Sequence, residues 1–484
     1  MSLLGVLDIG RTALLAQKAA IDVTGENIAN VNTPGYSRQT PVLTTTPVDP
    51  YQYPPVGTGV MISSIQRTVD RFIQGQINTA TSTGGEQSVL QDALNRIEPL
   101  FGDLNGSGLG TSLQAFFTAW QDLAMNPQGA AERQAVLSKA QTFLDNLHQI
   151  NNSLNTVKSD ANQSLVATTT SINTMTAQIA VLNEQIRTAE LGGGNTNLLR
   201  DNRDVLLKSL SQKVGISVLE QTDGTVNVSL LQGPQLVGGK NASTLTLQPD
   251  PANGGMYSVI LNGPGSAGGT DISPLVAGGS GSNGELGGTL QVRDTLVNSY
   301  LANLDELATN LANQVNSVHS AGFGLNGSTG QNLFTAPAAP VPPATFTPGY
   351  SRTIALNISN TDSIAAASTD PTLPGGGSGN NITALALADL SGKTLALSSG
   401  TNTLNGFYSA LVGTVGLAVQ STTQGITQNT ALLTQFNNLR ESVSGVNLDE
   451  ELIALTRYQK AYQGAAQLIT TGQQMLDTVL NMVQ

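Results

Sequence analysis

An apolar residue recurs at every seventh position near the C-terminus, and this repeat constrains the fold more than any other feature. The series is Leu448, Leu455, Tyr462, Ile469, Leu476 and Val483. Leu452, Ala466 and Leu480 fill the alternate position of the repeat, which Gln459 and Gln473 make polar. Such a stripe is typical of a coiled-coil helix, which cannot bury its apolar side alone. The segment therefore requires a partner helix.

The N-terminal segment carries a matching stripe. Its residues Leu7, Leu14, Ile21 and Ile28 are spaced by seven. We expect this helix to end near Asn30, because Pro34 disfavours helical geometry at Thr33 and Gly35 permits a turn. Each chain end thus presents an apolar stripe, and the two ends can pair with each other or with neighbouring subunits.

Long helical patterns fill much of the sequence between the ends. They cover residues 72–100, about 113–123, 130–190, 289–320 and about 403–440. The pattern over 130–190 contains one extra four-residue step at Leu165, a stutter that locally relaxes a supercoil. At ~1.5 Å per residue, a helix of this length spans roughly 90 Å. That length favours an elongated molecule.

Alternating apolar and polar residues at 216–262 predict strands separated by turns. The stretch "RTIALNIS" at 352–359 is a further predicted strand. The predicted fold class is α+β: an elongated, mostly helical bundle with paired coiled-coil N- and C-terminal helices and an inserted β-rich domain. The predicted domains are an innermost axial helical domain (1–35 with 440–484), an extended connector (36–65), a long helical bundle (66–197 with 285–322 and 400–440) and a β-rich outer domain (198–284 with 323–399).

Composition argues against catalysis and against several kinds of binding. With 21 basic and 33 acidic residues, the net charge of −12 disfavours nucleic-acid binding. Cysteine is absent, which excludes disulfides and thiolate metal sites. No run approaches the ~20 apolar residues of a membrane span, and the first residues lack the features of a secretory signal. We therefore predict no catalytic, cofactor-binding or metal-binding residues and no cofactor, and we interpret His148 and His319 as surface or packing residues.

The stretch "LLRDNRD" at 198–204 groups four charges, on Arg200, Asp201, Arg203 and Asp204. Acidic side chains near a helix N-terminus interact favourably with the helix dipole. We interpret the stretch as a solvated helix start with a structural role.

Both chain ends resemble the signatures of flagellar axial proteins, which comprise rod, hook and hook-associated proteins. The N-terminal match is "ENIANVNTPGYSRQT" at 26–40, and the C-terminal match is "SGVNLDEELIALTRYQKAYQGAAQLITTGQQMLDTVLNMV" at 444–483. The internal stretches "NPQGAAERQAVLSKAQTF" (126–143), "NLLRDNRDVLLKSLSQKVGI" (197–216) and "HSAGFGLNG" (319–327) resemble the FlgK family within the hook-associated branch.

The resemblance implies a structural, non-enzymatic subunit of the hook–filament junction. Such a protein is exported from the cytoplasm through the flagellar type III channel and forms a ring of a tubular polymer, with its terminal helices paired on the inside. The implied partners are further copies of the chain, the hook protein, the second hook-associated junction protein and an export chaperone on the C-terminal helix. The implied location is extracellular, on the flagellum, and cytoplasmic before export.

Within this resemblance, the residues that carry the N-terminal motif are Asn27, Ile28, Asn30, Asn32, Thr33, Pro34, Gly35 and Tyr36. Hydrogen bonds between subunits are our hypothesis for Asn30 and Asn32. Two alternatives remain open. One is another axial subunit, such as hook protein or the second junction protein, and the other is a secreted adhesin with axial ends.

Overall fold

The computed structural model describes residues 3–47, 57–102, 106–231, 233–264, 268–277, 283–339, 345–375 and 377–483. The long helices are α1 (Leu3–Ala29), α2 (Arg71–Phe101), α3 (Leu109–Met125), α4 (Ala130–Leu191), α5 (Asn197–Lys213), α8 (Val297–His319), α11 (Leu404–Ser444) and α12 (Leu448–Val483). Shorter helices are α6 (Ser273–Ala277), α7 (Gly284–Gln291), α9 (Tyr350–Thr353) and α10 (Ile382–Asp389). The predicted linker residues 48–56, 278–282 and 340–344 lie outside the described parts.

The strands form small antiparallel sheets. They are β1 (Gln39–Thr45), β2 (Val60–Arg67), β3 (Ile216–Glu220), β4 (Val226–Leu230), β5 (Gln235–Gly238), β6 (Asn241–Ala242), β7 (Thr244–Asp250), β8 (Met256–Asn262), β9 (Thr270–Asp271), β10 (Leu395–Leu397) and β11 (Gly400–Asn402). Neighbours in sequence pair as β1–β2, β3–β4–β5–β6, β7–β8–β9 and β10–β11. The predicted fold class, a mostly helical chain with an inserted β-containing region and paired terminal helices, is confirmed.

Helix α4 has 62 residues and takes part in two hydrophobic cores. Its first half, up to Val157, packs in a core with α3, α8, α10 and the start of α11. From Leu165 onward it packs in a second core with α5, α7 and strands β3–β8. The change of core coincides with the stutter, because the added step at Leu165 turns the buried face towards a new set of partners. The helix ends where Gly192 caps it and Gly193 adopts a positive φ of 71°.

The β1–β2 hairpin and the β3–β6 sheet lie beside the junction with α2 and α5, whereas the β10–β11 hairpin packs in the first core. Glu220 on β3 forms an ion pair with Arg71 at the start of α2, and Asn197 on α5 donates to the Ile65 carbonyl of β2 at 2.9 Å. Residues 323–399, which we assigned to the same β-rich domain, pack instead in the first core through Phe334, Ile364 and Leu387. The two segments thus belong to different cores.

The predicted strand at 352–359 is wrong. Residues 350–353 form the single turn α9, and Leu356 makes only an isolated bridge with Phe334. The turn is fixed by the buried carboxylate of Asp305, which accepts hydrogen bonds from the Gly349 and Ser351 amides at 2.6 and 2.9 Å. A tertiary contact therefore overrides the strand preference of this stretch.

His319 is a packing residue in the first core, where it is 1% exposed. Its Nδ1 lies 2.7 Å from the Gln331 carbonyl, and Nε2 accepts from the Ala365 amide at 3.0 Å. This pattern requires a neutral ring, and burial lowers the pKa of His319 from 6.5 to about 4. His148 is half-buried and lies 3.0 Å from the Ile354 carbonyl.

The His319 environment predicts loss of stability in acid. The unfolded chain binds a proton near pH 6.5 and the folded chain near pH 4, so the contribution is complete above 6.5 and falls by about 3 kcal/mol at pH 4. Urea unfolding followed by the fluorescence of Trp120, whose ring centroid is 6.2 Å from that of His319, should show this decrease. The variant His319→Gln should show a flatter pH profile between 6.5 and 4; an unchanged profile would contradict the assignment.

Candidate assembly interface at the chain ends

The two terminal helices pack along each other, and glycines set how closely they approach. A Cβ atom at Gly10 of α1 would lie 2.6 Å from Cγ1 of Ile469, and one at Gly472 of α12 would lie 2.9 Å from Cδ2 of Leu7. Both glycines are buried, whereas Gly464, on the same helix as Gly472, has open space around it. Small residues thus let the backbones approach along this seam.

The seam uses only some of the positions that the heptads suggest. Leu455, Ile469 and Leu476 are half-buried in it, together with Leu7, Leu14, Ile21 and Ile28 of α1. The alternate position on α12 is taken by Glu451, Tyr458, Ala465 and Gly472. Leu448, Leu452, Tyr462 and Leu480 are 39–57% exposed, and the side chain of Val483 lies outside the described parts. Their role as subunit contacts stays a prediction.

An apolar stripe on α12 remains uncovered within the chain. Leu468, Met475 and Met482 recur every seven residues and are 41%, 54% and 80% exposed, and Val479 lies between the last two. Leu15 of α1 is 60% exposed. A continuous row of exposed apolar side chains on a water-facing helix marks an interaction surface.

The amide of Asn27 lies at the point where the chain leaves the axial pair. Its Nδ2 donates to the Gln39 carbonyl at 2.9 Å and to Oε2 of Glu451 at 3.0 Å. Its Oδ1 accepts from the Gln39 amide at 3.0 Å and from the Tyr36 hydroxyl at 2.9 Å. Asn27 is 1% exposed, so all these bonds lie in a water-poor environment. One side chain thereby joins α1, β1 and α12.

Arg38 strengthens the connection to α12. Its Nε donates to Oε1 of Glu451 at 2.7 Å, and its Nη1 lies 2.9 Å from Oε2 of Glu450. Its backbone amide donates to the Ser444 carbonyl at 2.9 Å, just before α12 begins. The "DEE" stretch at 449–451 therefore does more than open a helix, because Glu451 is 2% exposed and shared by Asn27 and Arg38.

The interpretation of "LLRDNRD" as a solvated helix start is wrong. Asp201 is 3% exposed; it accepts from the Ser37 amide at 3.1 Å and from Arg67 at 2.8 Å. Arg67 also pairs with Asp204 at 2.7 Å. Asp201 is buried and Arg67 and Asp204 are partly buried, because each has a partner across the junction between β2 and α5. Arg203 of the same stretch is also buried. Its burial could have been predicted from the sequence, because it lies four residues before Leu207 on the same face of α5.

The other motif residues have local roles. Asn30 donates to the Glu26 carbonyl at 3.0 Å and accepts from Thr33 at 3.1 Å, which closes the end of α1. Asn32 is exposed, and its side chain makes no hydrogen bond to other residues that the structure describes.

Gly35 adopts a φ of 85° and packs against Val205, so Pro34 and Gly35 turn the chain towards α5. Tyr36 is half-buried, and burial together with Glu26 raises its pKa to about 12.

The described residues contain no group of three or more His, Asp or Glu side chains that could hold a metal ion. Among the helices that the structure describes, none is long and apolar enough to cross a membrane. The residues brought together at the junction form fixed hydrogen bonds and ion pairs. Their arrangement positions the helices relative to one another.

Comparisons with known proteins match the chain along nearly its whole length. Residues 94–334 match the model of the flagellar hook-associated protein FlgK helical domain. Residues 7–36 match the flagella basal body rod protein model, and residues 440–482 match the C-terminal model of the flagellar basal body rod FlgEFG proteins. Flagellar hook-associated protein 1 of Bacillus subtilis is 29% identical over 98% of this chain and 97% of that protein. The Escherichia coli protein of the same name is 27% identical over 97% and 98%.

The chain is similar to the FlgK family over nearly its whole length. A solved structure, the flagellar hook junction protein FlgK from Burkholderia pseudomallei, has a TM-score of 0.66 and 21% identity, covering 76% of this chain and 100% of that one. At that identity the likeness shows the fold alone. The two rod-protein models coincide with the segments that meet at Asn27 and Glu451.

We expect Asn27 to be the critical asparagine of the N-terminal axial motif in this chain. Asn27→Ala removes the Asn27 partner of Oε2 of Glu451 and of the Gln39 backbone, at a cost of about 2–4 kcal/mol at the junction. The Gln39 amide donates its hydrogen to Oδ1 of Asn27, so its hydrogen exchange should become much faster in this variant. Asn32→Ala is the matched control and should leave that rate unchanged; equal effects of both variants would refute this ranking.

The glycine seam gives a second expectation. Gly472→Leu should separate α12 from α1, because Leu7 and Val6 already fill the space that its side chain needs. Gly464→Leu places the same residue on the open side of the same helix and should keep the pair intact. Limited proteolysis within α12 measures the difference, and similar cleavage of the two variants would contradict the seam.

Proposed function

We propose that the chain is a structural subunit of the bacterial flagellum that forms the junction between hook and filament. The observation that carries this is the uncovered stripe of Leu468, Met475, Val479 and Met482 on a helix whose other side is already paired with α1. A second copy of the same pair offers a stripe of the same kind. Association in a ring buries these side chains, each worth about 1.5–3 kcal/mol when fully covered.

The predicted contacts fit this proposal. Leu448, Leu452, Tyr462 and Leu480 are exposed in the single chain and available to neighbouring subunits. The neighbours along the polymer are the hook protein on one side and the second hook-associated junction protein on the other. Asn27 and Asn30 bond within the chain, so we assign the motif to holding the axial pair and leave Asn32 as the exposed candidate for a contact between subunits.

The structure also supports a revised division of the chain. The axial domain is residues 1–35 with 440–484, and the connector at 36–65 is anchored by β1 and β2. The bundle divides into a proximal part around the second core, which includes the sheets, and a distal part around the first core, which includes residues 323–399. The role is structural, without catalysis.

Before assembly, the same stripe requires protection. We propose that the chain is held in the cytoplasm with a chaperone on α12 and is then exported through the flagellar type III channel. No cysteine is present, so no disulfide has to form or break during transit. The final location is the extracellular flagellum.

Labelled protein added to isolated hook–basal bodies should bind at the distal end of the hook. A variant that ends at Gln463 lacks the stripe and should remain free, while its Trp120 fluorescence and urea midpoint stay as in the full chain, because Trp120 lies in the distal core. Label spread evenly along the hook, or full binding of the shortened variant, would count against the proposal.

A further inference from the structure

A cleft of about 400 Å³ lies between the first turns of α2, helix α5 and the sheet edge at β3. Its walls include the apolar side chains of Phe72, Leu207, Ile216, Val218 and Leu231. Phe72 is 73% exposed and Leu231 is 37% exposed at the opening. The cleft therefore combines an apolar interior with an apolar rim.

Arg203 lines this cleft and presents an incompletely satisfied guanidinium. The residue is 1% exposed, and its Nη1 donates to Oδ1 of Asn183 at 3.0 Å and to the Gly224 carbonyl at 2.8 Å. Its buried Nε has no hydrogen-bond partner among the described residues, and Nη2 has only Glu220 at 3.9 Å. Nε and Nη2 form the edge of an arginine that binds a carboxylate with two parallel hydrogen bonds. A buried donor without a partner is costly, so an incoming carboxylate would be favoured here.

The charge in the cleft also favours an anion. Arg67, Arg71 and Arg203 line it against Asp204 and Glu220, which leaves an excess of one positive charge. The whole chain has a net charge of −12. Burial lowers the pKa of Arg203 to about 10, so this side chain stays protonated at neutral pH. A suitable ligand thus carries a carboxylate next to aliphatic side chains.

The first turn of α12 has this chemistry on its surface. Leu448, Leu452 and Ile453 are 44%, 52% and 70% exposed. Asp449 is exposed and forms no ion pair with the residues that the structure describes. In its own chain this turn is held by the bonds of Arg38 to Glu450 and Glu451, and its other side is exposed.

We propose that the cleft receives the first turn of α12 from a second copy of this chain, with Asp449 on the Arg203 edge and Ile453 against Phe72. The contact is continuous with the axial junction, because Arg67 and Asp204 line the cleft and also form ion pairs at the junction between β2 and α5. This inference rests on the proposed self-assembly and specifies one contact within it.

The absence of cysteine allows a direct test by disulfide trapping. Two full-length chains, one with Phe72→Cys and one with Ile453→Cys, are mixed under mild oxidation and analysed for a crosslinked dimer. The dimer should form, and adding Asp449→Asn to the second chain should reduce its yield about tenfold, because a carboxylate on a buried arginine is lost. The matched control replaces Ile453→Cys with Leu385→Cys on α10, where Leu385 is 46% exposed and Asp389 is also exposed.

The outcomes separate this contact from the proposed function. Equal yields with Leu385→Cys, or no effect of Asp449→Asn, would overturn the contact. Sedimentation of the unmodified chain at the same concentration reports self-association independently. Association without the specific crosslink would overturn this contact alone, whereas a chain that remains monomeric would overturn the proposed self-assembly as well.

Discussion

The four hydrogen bonds of the buried Asn27 amide tie the two ends of the chain to each other and to the rest of the molecule. An amide is suited to this position because it donates and accepts at once, as a peptide group does. Through Gln39 it meets the backbone of β1, and through Glu451 it meets α12. The apolar seam of the terminal helices is adjustable by itself, since such contacts have no direction. The directional hydrogen bonds of Asn27, at the end of the seam next to β1, fix the orientation of the helix pair relative to the bundle.

Charged groups extend this fixed point into α5. Asp201 accepts from the Ser37 amide next to the motif and pairs with Arg67 of β2. Each of these groups would be unfavourable in isolation, because burial of an unpaired charge is costly. Their mutual dependence makes the junction specific: an altered angle between axial pair and bundle would separate several partners at once. This behaviour would suit the ring assembly proposed above.

The long helices could be predicted from the sequence because apolar spacing of three and four is dictated by helix geometry. The seam between α1 and α12 was predicted only in part. Gly10, Gly472 and Glu451 carry no apolar signal, yet close approach and hydrogen bonding place them in the seam. Likewise, the burial of Asp201 depends on Arg67, which is far away in the sequence. Residues 352–359 had a strand pattern, but Asp305 fixes the turn that begins just before them through Gly349 and Ser351, which local sequence does not reveal.

The single helix α4, shared by both cores, has a mechanical consequence. Its C-terminal end lies close to the axial junction, since Glu190 pairs with Arg200 of α5, and its N-terminal end lies in the distal core. A load applied to the distal part is therefore transmitted along continuous backbone, without a non-covalent joint between the two cores. Bending would be concentrated between Val157 and Leu165, where one set of packing contacts ends and the other begins. The subunit is thereby stiff along its length and has one defined place of compliance.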